Sequence, residues 1–179
     1  MKKLLDKNDK IALQKLSAKY GFKNELQMPK ISKVVINCGF NPARDNEAIL
    51  KEMKLNLAKI TGQIPAIRKA KKAIAGFKIR KGDPVGYIVT LRGRRMHDFL
   101  EKLIRVASPR IRDFKGLDTK GFDGHGNYTL ALREHITFPE IQAEEADKLF
   151  GMQISIVTTA GNNEVAKDLL QNLGFVYRG

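Results

Sequence analysis

Tryptophan is absent from this chain, cysteine occurs once, and acidic side chains are few beside basic ones. Each shortage excludes something. The single cysteine, Cys38, can form neither an internal disulfide nor a cysteine-rich metal centre, and it fits a reducing cytoplasm. His97, His125 and His135 are scattered, and no metalloprotease, serine-hydrolase or paired-carboxylate motif accompanies them. Asp123 beside His125 reads as a loop hydrogen bond before it reads as a dyad. Glu144, Glu145 and Asp147 read as a solvated face, not a magnesium site. The sequence therefore offers no enzyme, no metal and no cofactor. No apolar run is long enough to span a bilayer. The opening Met1-Lys-Lys-Leu-Leu imitates a signal peptide, but Asp6, Lys7, Asn8, Asp9 and Lys10 abolish its hydrophobic region.

What is present is charge of one sign. Thirty-three basic residues against 19 acidic ones leave a formal net charge of +14, an excess that attracts polyanions. Hydrophobic residues make up 42% of the 179, enough to build a core. With no repeat, linker or low-complexity stretch, residues 1–179 read as a single domain.

The periodicity gives an order of elements. Residues 3–20 read as a helix ended by Gly21. Residues 31–38 alternate as a strand, with Val34, Ile36 and Cys38 on one face. A second helix over 43–61 takes Asn41 as N-cap and Pro42 as its first residue, and buries Ile49, Met53, Leu57 and Ile60. A weaker strand over 64–70 precedes a strand over 87–92. A third helix over 94–107 has Pro109 just past its end. Residues 110–127 read as irregular. Strands over 128–133 and 152–159 follow, with a weak segment near 136–141 and at best a short acidic helix in 139–150. The last helix covers 163–173, with Gly174 near its C-cap. Helices and neighbouring strands mix without strict alternation. That predicts α+β: an antiparallel-rich sheet with helices packed on one face and a long basic loop between two strands.

Two constellations carry chemistry. The second faces of the strands bear Asn37, Thr90, Arg92, Thr129, Arg133, Ser155 and Thr159, residue types that meet groove edges, ribose hydroxyls and phosphates. A plain solvated face competes with that reading. The segment 68–81 carries seven positive charges, Arg68, Lys69, Lys71, Lys72, Lys78, Arg80 and Lys81, and no negative one. Phe77 in its middle could stack on a base, or be buried and pin the loop to the core. Arg92, Arg94 and Arg95 add a basic cluster where a strand passes into a helix, and backbone N–H groups there reinforce anion binding. Arg105, Arg110, Arg112 and Lys115 extend the basic surface.

Several stretches, in order, resemble one family. Lys69-Ala-Lys-Lys-Ala-Ile-Ala-Gly-Phe-Lys-Ile-Arg-Lys-Gly-Asp-Pro-Val-Gly86, Val89-Thr-Leu-Arg-Gly-Arg-Arg-Met96, Pro109-Arg-Ile-Arg-Asp-Phe-Lys-Gly-Leu117, Phe122-Asp-Gly-His-Gly-Asn-Tyr128, Phe138-Pro-Glu-Ile141 and Ile154-Ser-Ile-Val-Thr-Thr-Ala160 look like bacterial ribosomal large-subunit protein five. That family comprises the 5S-rRNA-binding proteins of the central protuberance. The resemblance implies a structural, non-enzymatic protein of the cytoplasmic ribosome. Its implied partners are 5S rRNA, P-site tRNA and a small-subunit protein at an intersubunit bridge, with neighbouring large-subunit proteins and 23S rRNA as further candidates. It implies 5S contacts at Asn37, Gln63 and Thr90, and a tRNA-contacting loop near 73–86. The basic, Gly-rich 109–135 region is a candidate for the bridge. Joined to the basic residues noted above, the expected rRNA-binding set is Asn37, Gln63, Arg68, Lys69, Thr90, Arg92, Arg94 and Arg133. The expected tRNA-contacting set is Lys72, Phe77, Lys78, Ile79, Arg80 and Lys81. Two departures stand out: no second glycine follows Phe40, and His125 stands where a longer basic residue is common. A nucleic-acid-processing enzyme and a peripheral membrane protein are the rival readings. The first lacks an acidic cluster and the second a strongly basic amphipathic helix.

Overall fold

The computed structural model describes residues 15–22, 24–40, 46–112, 114–141 and 149–178. Five strands form one sheet: β1 (Ile31–Gly39), β2 (Ala66–Lys69), β3 (Pro84–Leu91), β4 (Tyr128–Leu132) and β5 (Met152–Thr158). Their order is β2-β3-β1-β5-β4, and every neighbouring pair is antiparallel. The alternation seen in the sequence decides which face is covered. Val34, Ile36 and Cys38 of β1, Val89 and Leu91 of β3, Ile154 and Ile156 of β5, and Leu130 and Leu132 of β4 are all buried. Registers Val34↔Leu91, Val34↔Ile156 and Leu130↔Ile154 put them in continuous rows across the sheet.

Among the described residues, helices cover that face alone. They are α1 (residues 15–20), α2 (Glu47–Thr61), α3 (Gly93–Lys102), α4 (Ser108–Arg110) and α5 (Asn163–Leu173). Their apolar stripes supply Leu16, then Met53, Leu57 and Ile60, then Met96, Phe99 and Leu100, then Leu169, Leu170 and Leu173, all buried. A buried side chain of this size contributes about 1.5–3 kcal/mol. Polar pairs then tie the layer together. Tyr20 Oη donates to Asp168 at 2.7 Å, and Lys19 pairs with the same carboxylate, joining α1 to α5. Lys102 Nζ donates to the Ile60 carbonyl at 2.8 Å and pairs with Glu140.

Several boundaries differ from the sequence reading. The described part of the first helix is 15–20, and Gly21 ends it at φ 69°, donating to the Ser17 carbonyl. Helix α2 is capped by Asn46, whose side chain accepts from the N–H groups of Ala48 and Ile49. The expected caps Asn41 and Pro42 lie outside the described residues. So do most of the acidic stretch before β5 and Glu144, Glu145 and Asp147. The run that starts as α3 does not stop before Pro109. It passes through a π-turn, Leu103–Ala107, into α4, where Pro109 occupies a first-turn position. Proline is tolerated there because its missing N–H has no partner in the ladder to lose. The segment near 136–141 is no strand; His135–Thr137 is a 3₁₀ turn that sends Phe138 inward, stacked on Phe99 at 5.7 Å. Helix α5 has the bounds its sequence predicts, with Asn162 as N-cap and Gly174 in the left-handed conformation at its end.

His135 lies at the base of this layer with no exposed surface. Its ring stacks on Phe150 at 3.8 Å, Nδ1 accepts from the Phe150 N–H at 3.4 Å, and the Asn56 amide reaches Nε2 at 3.5 Å. Burial pushes its pKa below the ordinary histidine value.

Candidate nucleic-acid interface

Among the described residues, no helix covers the second face of the sheet. Strand register sets its residues in rows. Ala66, Ile88, Asn37, Gln153 and Ala131 form one row from β2 to β4, and Thr90, Val35, Ser155 and Thr129 form the next. The centre is half-buried and β-branched at Ile88, Val35 and Val157, while Asn37, Thr90 and Gln153 stand exposed. Such a face presents hydrogen-bonding groups on a firm apolar bed.

Asn37, Gln63 and Thr90 come together here. Val35 pairs with Thr90 and Asn37 with Ile88, so Asn37 and Thr90 are diagonal neighbours on the face. Gln63 comes from the turn after α2 and donates from Nε2 to the Thr90 carbonyl at 3.4 Å. That turn is held by Thr61, whose hydroxyl donates to the Leu57 and Gln63 carbonyls, and by Gly62 at φ 66°. Other polar residues of the face are spent on the protein itself. The hydroxyls of Thr129 and Ser155 bond each other at 3.0 Å. Thr159 Oγ1 accepts from the Lys30 N–H at 3.0 Å.

Cations bracket this group. Arg68 and Lys69 sit at the Pro84 end of β3, since Lys69 pairs with Pro84. Arg92 and Arg94 sit past its Leu91 end, Arg94 in the first turn of α3. Arg92 Nη1 donates to the Ser32 carbonyl at 3.4 Å. Eight residues of antiparallel strand separate the two pairs by roughly 27 Å. Arg133 does not join them. Strand β4 ends at Leu132, so Arg133 lies beyond it, at the sheet edge opposite β2.

The basic loop between β2 and β3 is an ordered hairpin. Ala70 donates to the Asp83 carbonyl at 2.8 Å and Gly82 to the Ala70 carbonyl at 2.9 Å, which closes its neck. Ile74 and Ile79 exchange N–H···O bonds of 2.8 and 3.1 Å, and Ala75–Phe77 turns the tip. Lys78 takes φ 52° there, the left-handed region that non-glycine residues seldom enter. Phe77 is 67% exposed, which overturns the alternative of a Phe77 buried in the core. Lys72, Lys78, Arg80 and Lys81 are exposed around it, and Ile79 is half-buried. At the root, Gly86 has no room for a side chain: a Cβ would meet the Cys38 carbonyl at 2.6 Å.

The Gly-rich loop before β4 is shaped by Asp123. Its carboxylate accepts from the backbone N–H groups of His125 and Asn127 and from the Asn127 side chain at 2.6 Å. The hydrogen bond from Asn127 leads in holding its pKa below the usual carboxylate value. Asp123 and His125 are therefore linked through backbone, not as a catalytic pair. The sequence reading leaves out Gln153 and Arg178. Strand alternation is the signal that finds Gln153 on the polar face, whereas Arg178 offers none beyond its charge.

The fold and this surface define a class: basic α+β proteins whose antiparallel sheet keeps one polar face open among the described residues. Comparison with known proteins gives the family. The profile described as Ribosomal protein L5 matches residues 24–80, and that described as ribosomal L5P family C-terminus matches residues 84–177. The large ribosomal subunit protein uL5 of Natranaerobius thermophilus is 51% identical over 165 residues, covering 92% of each chain. Its counterpart from a Thermoanaerobacter species is 48% identical over 177 residues, 99% of each chain, and that of Microcystis aeruginosa 50% identical over 164, 92% of each. The chain belongs to the ribosomal protein L5 family. It is a structural constituent of the large ribosomal subunit and not an enzyme.

Proposed function

We propose that the uncovered sheet face docks 5S rRNA and helps attach it to the large subunit at the central protuberance. The observation that carries this reading is the convergence of Asn37, Gln63 and Thr90 from three separate elements, bracketed by Arg68 and Lys69 at one end and Arg92 and Arg94 at the other. The cations neutralise phosphates across the duplex, and the polar side chains between them bond at the wide minor groove. Arg133 stands apart from this set by its position. The hairpin, with Phe77 and its cations, reaches away from the sheet toward P-site tRNA, and the 109–135 region faces a small-subunit protein. The strands matched by the two profiles interleave in one sheet, which supports reading 1–179 as one RNA-binding domain.

Thr90→Val tests the site. Valine keeps the strand and removes one hydroxyl, so 5S rRNA affinity should fall by about fivefold to tenfold, the worth of one hydrogen bond. Arg105→Ala, on the helix layer beside Glu101, is the control and should change it little. Equal affinities for both variants and the parent chain would remove Thr90 from the interface.

A further inference from the structure

We propose that Thr61 is a positioning residue for RNA recognition: its hydroxyl fixes Gln63 against Thr90, and 5S rRNA affinity depends on it. At 5% exposure Thr61 meets no RNA itself. The proposal rests on the reading of the open sheet face as the 5S rRNA site. Pairing of β2 with β3 ends at Ala66↔Ile88, two residues short of Thr90. The Thr90 carbonyl is taken instead by the Gln63 side chain, whose Nε2 donates to it at 3.4 Å. Gln63 can do this only from one place in the turn between α2 and β2. The bond employs one N–H of the amide and leaves the amide oxygen to accept from a ribose hydroxyl.

Both main-chain polar groups of Gln63 are bonded to Thr61. The Thr61 hydroxyl donates to the Gln63 carbonyl at 3.0 Å and accepts from the Gln63 N–H at 3.3 Å. It also reaches the Leu57 carbonyl, one turn back in α2, at 2.7 Å. One oxygen thus ties the turn to the helix. The end of the helix is itself held. The Gly62 N–H donates to the Ala58 carbonyl and Lys102 Nζ to the Ile60 carbonyl, each at 2.8 Å. Gly62 reverses the chain at φ 66°, and Pro65, buried, pins the far end of the turn. Threonine is a weak helix former, so alanine would suit this last turn of α2 better. What threonine adds is the hydroxyl, and its bonds run to the residue that meets RNA. A recognition group is only as precise as the groups that hold it.

The test measures 5S rRNA affinity for full-length variants, together with the side-chain amide resonances of Gln63 in the free protein. Thr61→Val keeps the shape and loses the hydroxyl, so affinity should fall about threefold to tenfold, as it should for Gln63→Ala. Thr61→Ser keeps the hydroxyl and should bind within about twofold of the parent. The Gln63 amide resonances should move to those of a freely rotating glutamine in Thr61→Val and stay in place in Thr61→Ser. In the Gln63→Ala background, Thr61→Val should cost less than about twofold more, because its effect runs through Gln63. Thr61→Ala removes the same hydroxyl and carries the same expectations where the valine variant does not fold. An undiminished further loss in the Gln63→Ala background would make Thr61 a support of the fold at large and overturns the proposal. So does parent-like binding by a folded Thr61→Val or Thr61→Ala, while a loss in Gln63→Ala keeps the interface reading intact. Parent-like binding by Gln63→Ala removes Gln63 from the interface and overturns both.

Discussion

His135 shows how a single residue can matter to the fold while saying nothing in the sequence. Three histidines are scattered along the chain, and only tertiary packing distinguishes this one, enclosed by Phe150 and Asn56. Its pKa is lowered by burial, so in the folded protein the ring stays neutral where an unfolded one is half charged, near pH 6.5. The sign follows. The contribution to stability is complete above about pH 6.5 and is lost as pH falls below it toward the folded value. The urea midpoint should therefore drop between about pH 7.5 and about pH 5.5, and His135→Phe, which keeps a ring against Phe150, should lose most of that drop. A parent and variant with the same pH dependence would show that the ring does not titrate with unfolding. Asn37 and Thr90 are the opposite case. Alternation alone assigned their face, because strand period depends on nothing beyond the strand.

Elements were legible where their ends carry their own chemistry. Helix α5 matches its predicted bounds because Asn162 and Gly174 flank it with a cap and a left-handed stop. The end of the α3 run was misread because a proline looks like a terminator. The π-turn before Pro109 shifts the ladder so that proline fits, and no local residue announces that. The basic hairpin was legible as charge but not as structure. Its rigidity comes from backbone pairs between Ala70 and residues 82–83, and between Ile74 and Ile79, which composition cannot show. The hairpin therefore tolerates changes to its charges. Replacing Lys78, Arg80 and Lys81 together by alanine leaves those backbone bonds in place, and with them the bond that the Arg80 N–H donates to the Asp83 carboxylate. The variant should hold 5S rRNA within about twofold of the parent yet weaken protection of P-site tRNA in assembled ribosomes by about tenfold. Outright loss of 5S binding would mean that the hairpin and the sheet face share one RNA.

For the whole molecule, the question is how much of the +14 charge one RNA meets. The sequence made RNA the partner class but could not divide the surface, because Arg110, Arg112, Arg133 and Arg178 line one cleft only once the fold brings β4 beside residues 175–178. With the fold in hand, basic residues fall into a bracketed face, a hairpin beyond β2, and a cleft at the opposite edge. Four of them, Arg68, Lys69, Arg92 and Arg94, bracket the exposed polar group of the face, while Lys33 of β1 lies half-buried on the sheet opposite Val157. Each phosphate neutralised contributes about −0.9 to the slope of log affinity against log salt, so four give roughly −3.6. Raising salt from about 50 to about 200 mM should then cost 5S binding on the order of a hundredfold. If all of the net charge acted on one RNA, the slope would be near −13 and the loss about fifty-millionfold, so the two pictures are easily separated by a salt titration. The hairpin triple variant should leave this slope unchanged, whereas Arg68→Ala with Arg92→Ala should reduce it by about two. A parent slope far steeper than −4, reduced by the hairpin variant, would show that 5S rRNA wraps the β2 edge and that the division of the surface drawn from the fold is wrong.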